Sequence, residues 1–319
     1  MKQKWIERPE GGGRTGIRLI LAIARFCGRR TSRWLLFPIT AYFLLRRSAE
    51  RRASRAYLMR IFKRRVGLWQ VAKHIHCFAS ITLDRVFLLS ENFKRFDVTC
   101  HGLEQLHAAM DFGKGVLLYG AHVGSFDALR ALSLQRPDVQ FRAVIDMGQS
   151  PELSEIFNAL NPNLASTVID ARQEGIKIAF DIKDALDANA IVTMLVERAR
   201  PGNAVAMVDF LGSPAAFPTA PWRLAAALKA PIVLCFGLYR GGNRYDLYFE
   251  SFADSLDIPR VARQTLLQAT IRRYADRLAY YASLAPYNWF NFYDFWHPQA
   301  IAQTTAPRGA DSVDGTRHA

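Results

Sequence analysis

A chain of 319 residues is long enough to bury one large core, and an apolar half excludes a disordered polymer. The net charge of +14 is unevenly placed: residues 1–65 hold 18 Lys and Arg against 3 Glu, while the rest holds 24 against 25 acidic residues. A near-neutral body behind a basic leader suits an anionic surface. The apolar residues interleaved with the leader's charges favour phospholipid over nucleic acid, for which the sequence carries no motif.

Residues 1–16 are polar, include Gly11-Gly12-Gly13 and read as a flexible lead-in. Two apolar stretches follow, Leu19 to Ala24 and Trp34 to Leu45, separated by Arg25, Arg29, Arg30 and Arg33. Neither reaches the roughly 20 residues of a spanning helix, and the second contains Pro38 and Thr40. No small-residue cleavage site follows, which argues against a signal peptide. The pair is expected to form a monotopic anchor or interfacial hairpin on the cytoplasmic side of a membrane, with a single tilted span as the lesser alternative. Arg46 to Arg65 carry nine basic residues against Glu50, with Tyr57, Leu58, Ile61 and Phe62 at helical spacing. This is a basic amphipathic helix, either solvated or lying on lipid. At about 1 kcal/mol per basic residue near anionic lipid, half of these charges would hold the protein at a membrane.

Gly67 to Leu89 continues as a more apolar helix containing His74, His76 and Cys77. Positions i and i+2 of a helix point in different directions, and no carboxylate stands at i+4, so packing is expected here and no metal. His101 and His107, at a short helix over Leu103 to Phe112, have no partner visible in the sequence. The four cysteines, Cys27, Cys77, Cys100 and Cys235, are far apart, form no Cys-x-x-Cys and read as reduced thiols of a cytoplasmic compartment.

Val116 to Tyr119 is a short, wholly apolar strand, followed by a turn bracketed by Gly120 and Gly124 and a helix over Asp127 to Leu134. Further strands are expected at Phe141 to Ile145, Thr167 to Asp170, Ile191 to Glu197, Ala204 to Phe210, Ile232 to Leu238 and Tyr245 to Phe249. The last two should form a hairpin through Arg240-Gly241-Gly242-Asn243. Helices are expected at Pro151 to Leu160, Gly175 to Leu186 and Arg260 to Ser283. Strands alternating with helices define an α/β fold, a mostly parallel central sheet with helices on both faces, preceded by the membrane-associating helical segment. The expected organisation is an anchoring segment over 1–65, an α/β domain over 66–298 and a disordered tail over 299–319. Residues 287–298, dense in aromatics, should cap the sheet or cover the core.

His122 stands at the carboxyl end of the central strand, where open α/β sheets face a ligand-binding crevice. Asp127 follows after four intervening residues and is expected to swing back beneath the imidazole, as orienter to a general base. Gly124 and Ser125 lie in the turn, whose Val123 to Ser125 backbone N–H groups are candidate oxyanion donors. Ser125 is not the nucleophile of a Gly-x-Ser-x-Gly elbow, because Asp127 occupies the final glycine position. Glu197 and Arg198 end another apolar strand, expected at the same sheet edge, and are either substrate-binding or a surface salt bridge. Thr219 and Arg223, one helical turn apart, are substrate contacts or simply a helix cap and a surface charge. There is no Gly-x-Gly-x-x-Gly or Walker sequence, and no cofactor or metal is expected.

The segment Leu118-Tyr119-Gly120-Ala121-His122-Val123-Gly124-Ser125-Phe126-Asp127 resembles the His-x4-Asp motif of the lysophospholipid acyltransferase superfamily, in particular its lipid A biosynthesis branch. Val208 to Pro214, Phe217 to Trp222 and Leu224 to Val233 resemble that branch's second conserved region in the same order, and the resemblance covers most of residues 1–298. It implies a membrane-bound enzyme moving a fatty acyl chain from a thioester, on acyl carrier protein or coenzyme A, to a hydroxyl of a lipid or glycolipid. His122 and Asp127 would be catalytic, and Arg198 would fit a position that binds acceptor or phosphate. The branch has Asp where this chain has Glu197. Phe217-Pro218-Thr219 stands where glycerolipid relatives carry Phe-Pro-Glu-Gly, which argues for the lipid A-like side. A non-catalytic lipid-binding protein on the same scaffold is the alternative.

Overall fold

The structure, a computed structural model, describes residues 28–88, 94–129, 139–146, 167–200 and 202–296. The lead-in, the first apolar stretch, Cys27, the helix expected at Pro151 to Leu160, most of the helix after Asp127 and the tail lie outside the described residues.

A helical segment over residues 28–34 opens the described chain and leads into three helices: α1 (Leu36–Arg46), α2 (Ser48–Phe62) and α3 (Leu68–Leu88). They are followed by β1 (Asp97–His101), α4 (Leu103–Met110), β2 (Val116–Gly120), β3 (Phe141–Ile145), β4 (Val168–Asp170), α5 (Gly175–Asp187) and β5 (Ile191–Leu195). Next come β6 (Val205–Phe210), β7 (Ser213–Pro218), α6 (Ala220–Leu228), β8 (Ile232–Gly241), β9 (Arg244–Ala253) and α7 (Arg263–Leu284). Seven strands form one sheet in the order β1-β9-β8-β2-β5-β3-β4, and β6 and β7 form a separate antiparallel pair. Every neighbouring pair in the large sheet is parallel except the β8–β9 hairpin.

The continuous apolar runs are explained by burial on both faces of the sheet. Leu117 and Tyr119 of β2, with Ile232, Leu234 and Phe236 of β8, join one core with α5, α6 and α7; Val116, Leu118, Val233 and Cys235 join another with α4 and the second half of α3. The period of two thus sends successive side chains to opposite helical layers. Strand β2 is the fourth of seven, and its carboxyl end shares an edge with those of β5 and β8, the crevice position of open α/β sheets.

Two strands were not expected. Strand β1 is an edge strand of alternating half-exposed residues, and β7 is built of small residues with Pro214 and Pro218, which a two-stranded edge tolerates.

The basic helix forms as expected, but its apolar side does not face outward. Tyr57 and Leu58 of α2 are fully buried in the same core as β2, so this helix offers a membrane its charges and not its apolar stripe. The preceding turns dock through charge. Arg29 forms a bidentate pair with Asp84 of α3 at 2.7 and 2.8 Å, and Asp84 also accepts the Tyr245 hydroxyl at 2.8 Å. Asp84 is fully buried, and removing its partner would strand a charge, at about 3–5 kcal/mol. No described helix is long and apolar enough to cross a membrane.

Candidate active site

Register builds the site. Val116 pairs with Ile191 and Gly120 with Leu195, and the next backbone bond runs from the Val196 N–H to the Gly120 carbonyl at 3.1 Å. Carried two residues past the ladder, that register sets His122 opposite Glu197. The His122 Nδ1 lies 2.5 Å from Glu197 Oε1, and the His122 backbone N–H donates to the same oxygen at 3.0 Å.

Glu197 is fully buried, whereas a third of the His122 side chain is exposed. Burial alone would push the Glu197 carboxyl up, but the His122 charge and hydrogen bonds, with Arg198, hold it down at about 2. With that carboxylate ionised, Nδ1 carries the proton and Nε2 is left as the basic nitrogen. The imidazole's own pKa is lowered, first by burial and then by Arg198, with Arg85 adding to the effect and Glu197 opposing it. Its neutral, proton-accepting form is therefore the resting one at pH 7. Oε2 of Glu197 has no hydrogen-bond partner among the described residues, so charge, not a full shell of donors, keeps this carboxylate ionised.

Asp127, expected beneath the imidazole, is elsewhere. Its Oδ2 accepts from Arg85 Nε at 2.7 Å, and no hydrogen bond joins it to His122 among the described residues. The chain between them explains the separation: Gly124 adopts a φ of +65°, and the segment zips antiparallel onto the aromatic region and parallel onto β8 before any helix begins. Phe290 N–H donates to the His122 carbonyl at 2.8 Å, and Gly124 N–H to the Asn288 carbonyl at 2.7 Å.

That zipper also removes the oxyanion donors expected in the turn. The N–H groups of Val123, Gly124 and Ser125 donate to the carbonyls of Ala121, Asn288 and Gly237 at 2.6, 2.7 and 2.7 Å. Gly124 serves close approach of the turn to β8, since a Cβ there would meet the Gly237 carbonyl at 1.8 Å. Ser125 is buried, and its Oγ accepts the Ala128 N–H at 3.3 Å, a helix-capping arrangement with no nucleophile in it.

Arg198 does stand at the same edge as His122. Its Nε donates to Asn291 Oδ1 at 2.6 Å and lies 3.6 Å from Glu197 Oε1, and its Nη2 donates to the Phe290 carbonyl at 2.7 Å. The alternative of a surface salt bridge fails on burial of its partner. Thr219 caps nothing by its side chain; its Oγ1 and N–H both donate to the Ala204 carbonyl, at 3.2 and 3.1 Å, tying α6 to β6. Arg223 is exposed one turn on, and no bond joins either residue to His122. His74 is likewise structural: Ser54 Oγ lies 2.8 Å from its Nδ1 and the Trp289 carbonyl 2.9 Å from its Nε2. The described residues hold no cluster of metal-ligating side chains.

Sequence reasoning missed Arg85, Asn288, Asn291 and Tyr274. Tyr274 of α7 donates to the Gly120 carbonyl at 2.9 Å, closing the strand end from behind. The two asparagines, polar residues inside an aromatic run, were the visible signal. Both are buried, and Asn288 Oδ1 accepts the Tyr239 N–H at 2.7 Å. The aromatic segment is thus a wall of the site as well as a cap on the core, where Trp289, Phe295 and Trp296 pack.

A half-open imidazole backed by a buried carboxylate and flanked by guanidinium groups can take a proton from a hydroxyl, as acyl transfer to an alcohol requires. No curated protein matches the chain. A family model described as bacterial lipid A biosynthesis acyltransferase matches residues 80–296, which hold every described strand and the whole His122 cluster. The chain therefore belongs to the bacterial lipid A biosynthesis acyltransferase family, a family of enzymes that transfer acyl groups.

Proposed function

We propose that this protein moves a fatty acyl chain from an acyl thioester, carried by acyl carrier protein or coenzyme A, to a hydroxyl of a lipid A-like glycolipid or other lipid acceptor. The observation that carries the reading is the partly exposed His122 with Nδ1 held by Glu197. His122 Nε2 accepts the acceptor's hydroxyl proton as the oxygen attacks the thioester carbonyl. The tetrahedral oxyanion collapses, the carbon–sulfur bond breaks, and the leaving thiolate takes the proton back from the imidazolium. Glu197 fixes the tautomer and stabilises the imidazolium.

The working surface is the cytoplasmic face of the inner membrane. Trp34, Phe37 and Leu45, with Leu68 and Trp69 at the start of α3, are all more than half exposed. The Phe37 ring stacks on His76 at 5.1 Å and Lys73 lies over Trp69 at 5.4 Å, so the exposed apolar groups of α1 and α3 lie close to a basic residue. Exposed aromatics beside Lys and Arg suit the headgroup level of an anionic bilayer. The basic face of α2 adds attraction there, and an acidic carrier protein would meet the same positive field.

The test is mass spectrometry of lipids from cells with and without the protein, and with His122→Gln, which keeps a donor for the buried Glu197. A gain of one acyl mass on a single lipid class, lost in the variant, supports the reading. Wild-type turnover by the variant overturns it.

A further inference from the structure

Arg198 follows Glu197 in the chain and stands beside its carboxylate, yet the two do not close into a fork-to-fork pair. Such pairs meet at about 2.7–2.9 Å, whereas Arg198 Nε lies 3.6 Å from Glu197 Oε1. Two bonds turn the guanidinium aside: Nε donates to Asn291 Oδ1 at 2.6 Å and Nη2 to the Phe290 carbonyl at 2.7 Å. Glu197 Oε1 instead meets His122 Nδ1 at 2.5 Å, and Oε2 has no hydrogen-bond partner among the described residues. Asn291 is buried, with its Nδ2 3.5 Å from Glu197 Oε1. Its orientation is forced, because an ionised carboxylate cannot donate and a guanidinium cannot accept: the amide oxygen must face Arg198 and the nitrogen Glu197. The backbone before it is tied to the segment that carries the base, since Phe290 N–H donates to the His122 carbonyl at 2.8 Å and Trp289 bridges Val123.

We propose that Asn291 is a positioning residue that turns Arg198 away from Glu197 and so reserves Glu197 Oε1 for the Nδ1 proton of His122. Two cations compete for that oxygen, and a guanidinium that took it would leave the imidazole without the acceptor that fixes its tautomer. Held at 3.6 Å, Arg198 still lends its charge to keep Glu197 ionised without taking the bond. The ionisable groups that act on the His122–Glu197 pair are Arg198, Arg85 of α3, Tyr274 of α7 and Tyr293, and of these Arg198 is the one bonded to Asn291. The inference rests on the acyl-transfer reading for the role given to the base, and it adds to the site a residue of the aromatic segment that touches neither His122 nor a motif.

The experiment is a double-mutant cycle with Asn291→Leu, Arg198→Gln and the pair, joined by Asn291→Asp. It is read without substrate, as the His122 Nδ1 proton line and the imidazole pKa by NMR, and then as kcat with an acyl thioester and acceptor. Asn291→Leu frees Nε, the atom that stands 3.6 Å from Oε1, to close on the carboxylate. The Nδ1 line should be lost or move upfield, the imidazole pKa should fall, and kcat should drop about 10²-fold with KM within about threefold. In the Arg198→Gln background the same change has no guanidinium to release; it should leave the line in place and cost kcat less than about threefold. Asn291→Asp keeps an acceptor for Arg198 at unchanged size, so the line should survive, while the added carboxylate raises the imidazole pKa. An unmoved line and wild-type kcat in Asn291→Leu overturn the proposal. An equal loss in the Arg198→Gln background overturns it too, since Asn291 would then act on Glu197 itself. Should Asn291→Leu fail to fold, Asn291→Asp decides: loss of the line with the acceptor retained overturns the proposal, and survival supports it. The expected NMR changes with no acyl transfer by the wild-type chain would uphold the placement of Arg198 and remove only the reaction.

Discussion

Glu197 holds His122 and Asp127 holds Arg85, and the two carboxylates stand in different surroundings. Glu197 is fully buried, carries one oxygen with no hydrogen-bond partner among the described residues, and is kept ionised by His122 and Arg198. Asp127 is also buried, but it is bound to a partly exposed guanidinium. A buried carboxylate bound to an imidazole has one stable use, to fix its tautomer and offset its positive charge, because any other protonation pattern leaves a bare charge in a dry place. A carboxylate on an arginine fixes where that arginine points. The two acids therefore do two jobs, and the partner each one holds tells which is which.

The difference can be broken at its strong end first. Glu197→Gln keeps the shape but removes the charge and allows the wrong tautomer. It should lower kcat by about 10³ to 10⁴-fold, measured with acyl thioester and acceptor. Asp127→Asn should cost only about 10²-fold, because the imidazole keeps its own carboxylate. A reversal of that order would exchange the roles of the two acids.

The charges around His122 give the next comparison. Burial and Arg198 lower its pKa, so kcat/KM should fall, as the imidazole takes a proton, at a lower pH than an ordinary imidazole would set. Arg198→Gln should move that fall to higher pH, since a nearby cation disfavours the imidazolium, and Glu197→Gln should move it lower. Stability follows the same signs. Glu197 is depressed from 4.5 to about 2, so its contribution is complete above the unfolded value and is lost as the pH falls from about 4.5 towards 2; acid unfolding of wild type against Glu197→Gln reads it out. The smallest effect belongs to Ser125→Ala. Loss of a capping oxygen should lower the unfolding free energy by about 1 kcal/mol while kcat stays within about threefold of wild type, which a covalent acyl-serine would not permit.

The sheet was legible because burial on both faces writes itself as short apolar runs. Strands β2, β3, β5, β6, β8 and β9 fall within a few residues of their expected positions, as do α4, α5 and α7. Strand β1 escaped because an edge strand alternates without a strong apolar face, and β7 because small residues and proline mask it. His122, Glu197 and Arg198 could be found as residues at strand ends, but their pairing could not. It depends on the register that sets Val116 against Ile191, which no local pattern encodes. Asp127 was misplaced for the complementary reason: five residues of spacing fix a distance only if the backbone between them is regular, and Gly124 with its partner Gly237 makes it a tight irregular turn. Arg85 was invisible because helix packing alone brings α3 to the site.

The most direct test of the central claim is the His122 Nδ1 proton, observed at low field by ¹H NMR in wild type, Glu197→Gln and Asp127→Asn. A proton hydrogen-bonded to Glu197 should give a strongly downfield line that survives Asp127→Asn and vanishes or moves far upfield in Glu197→Gln. A line that persists in Glu197→Gln and is lost in Asp127→Asn would contradict the geometry described for this site.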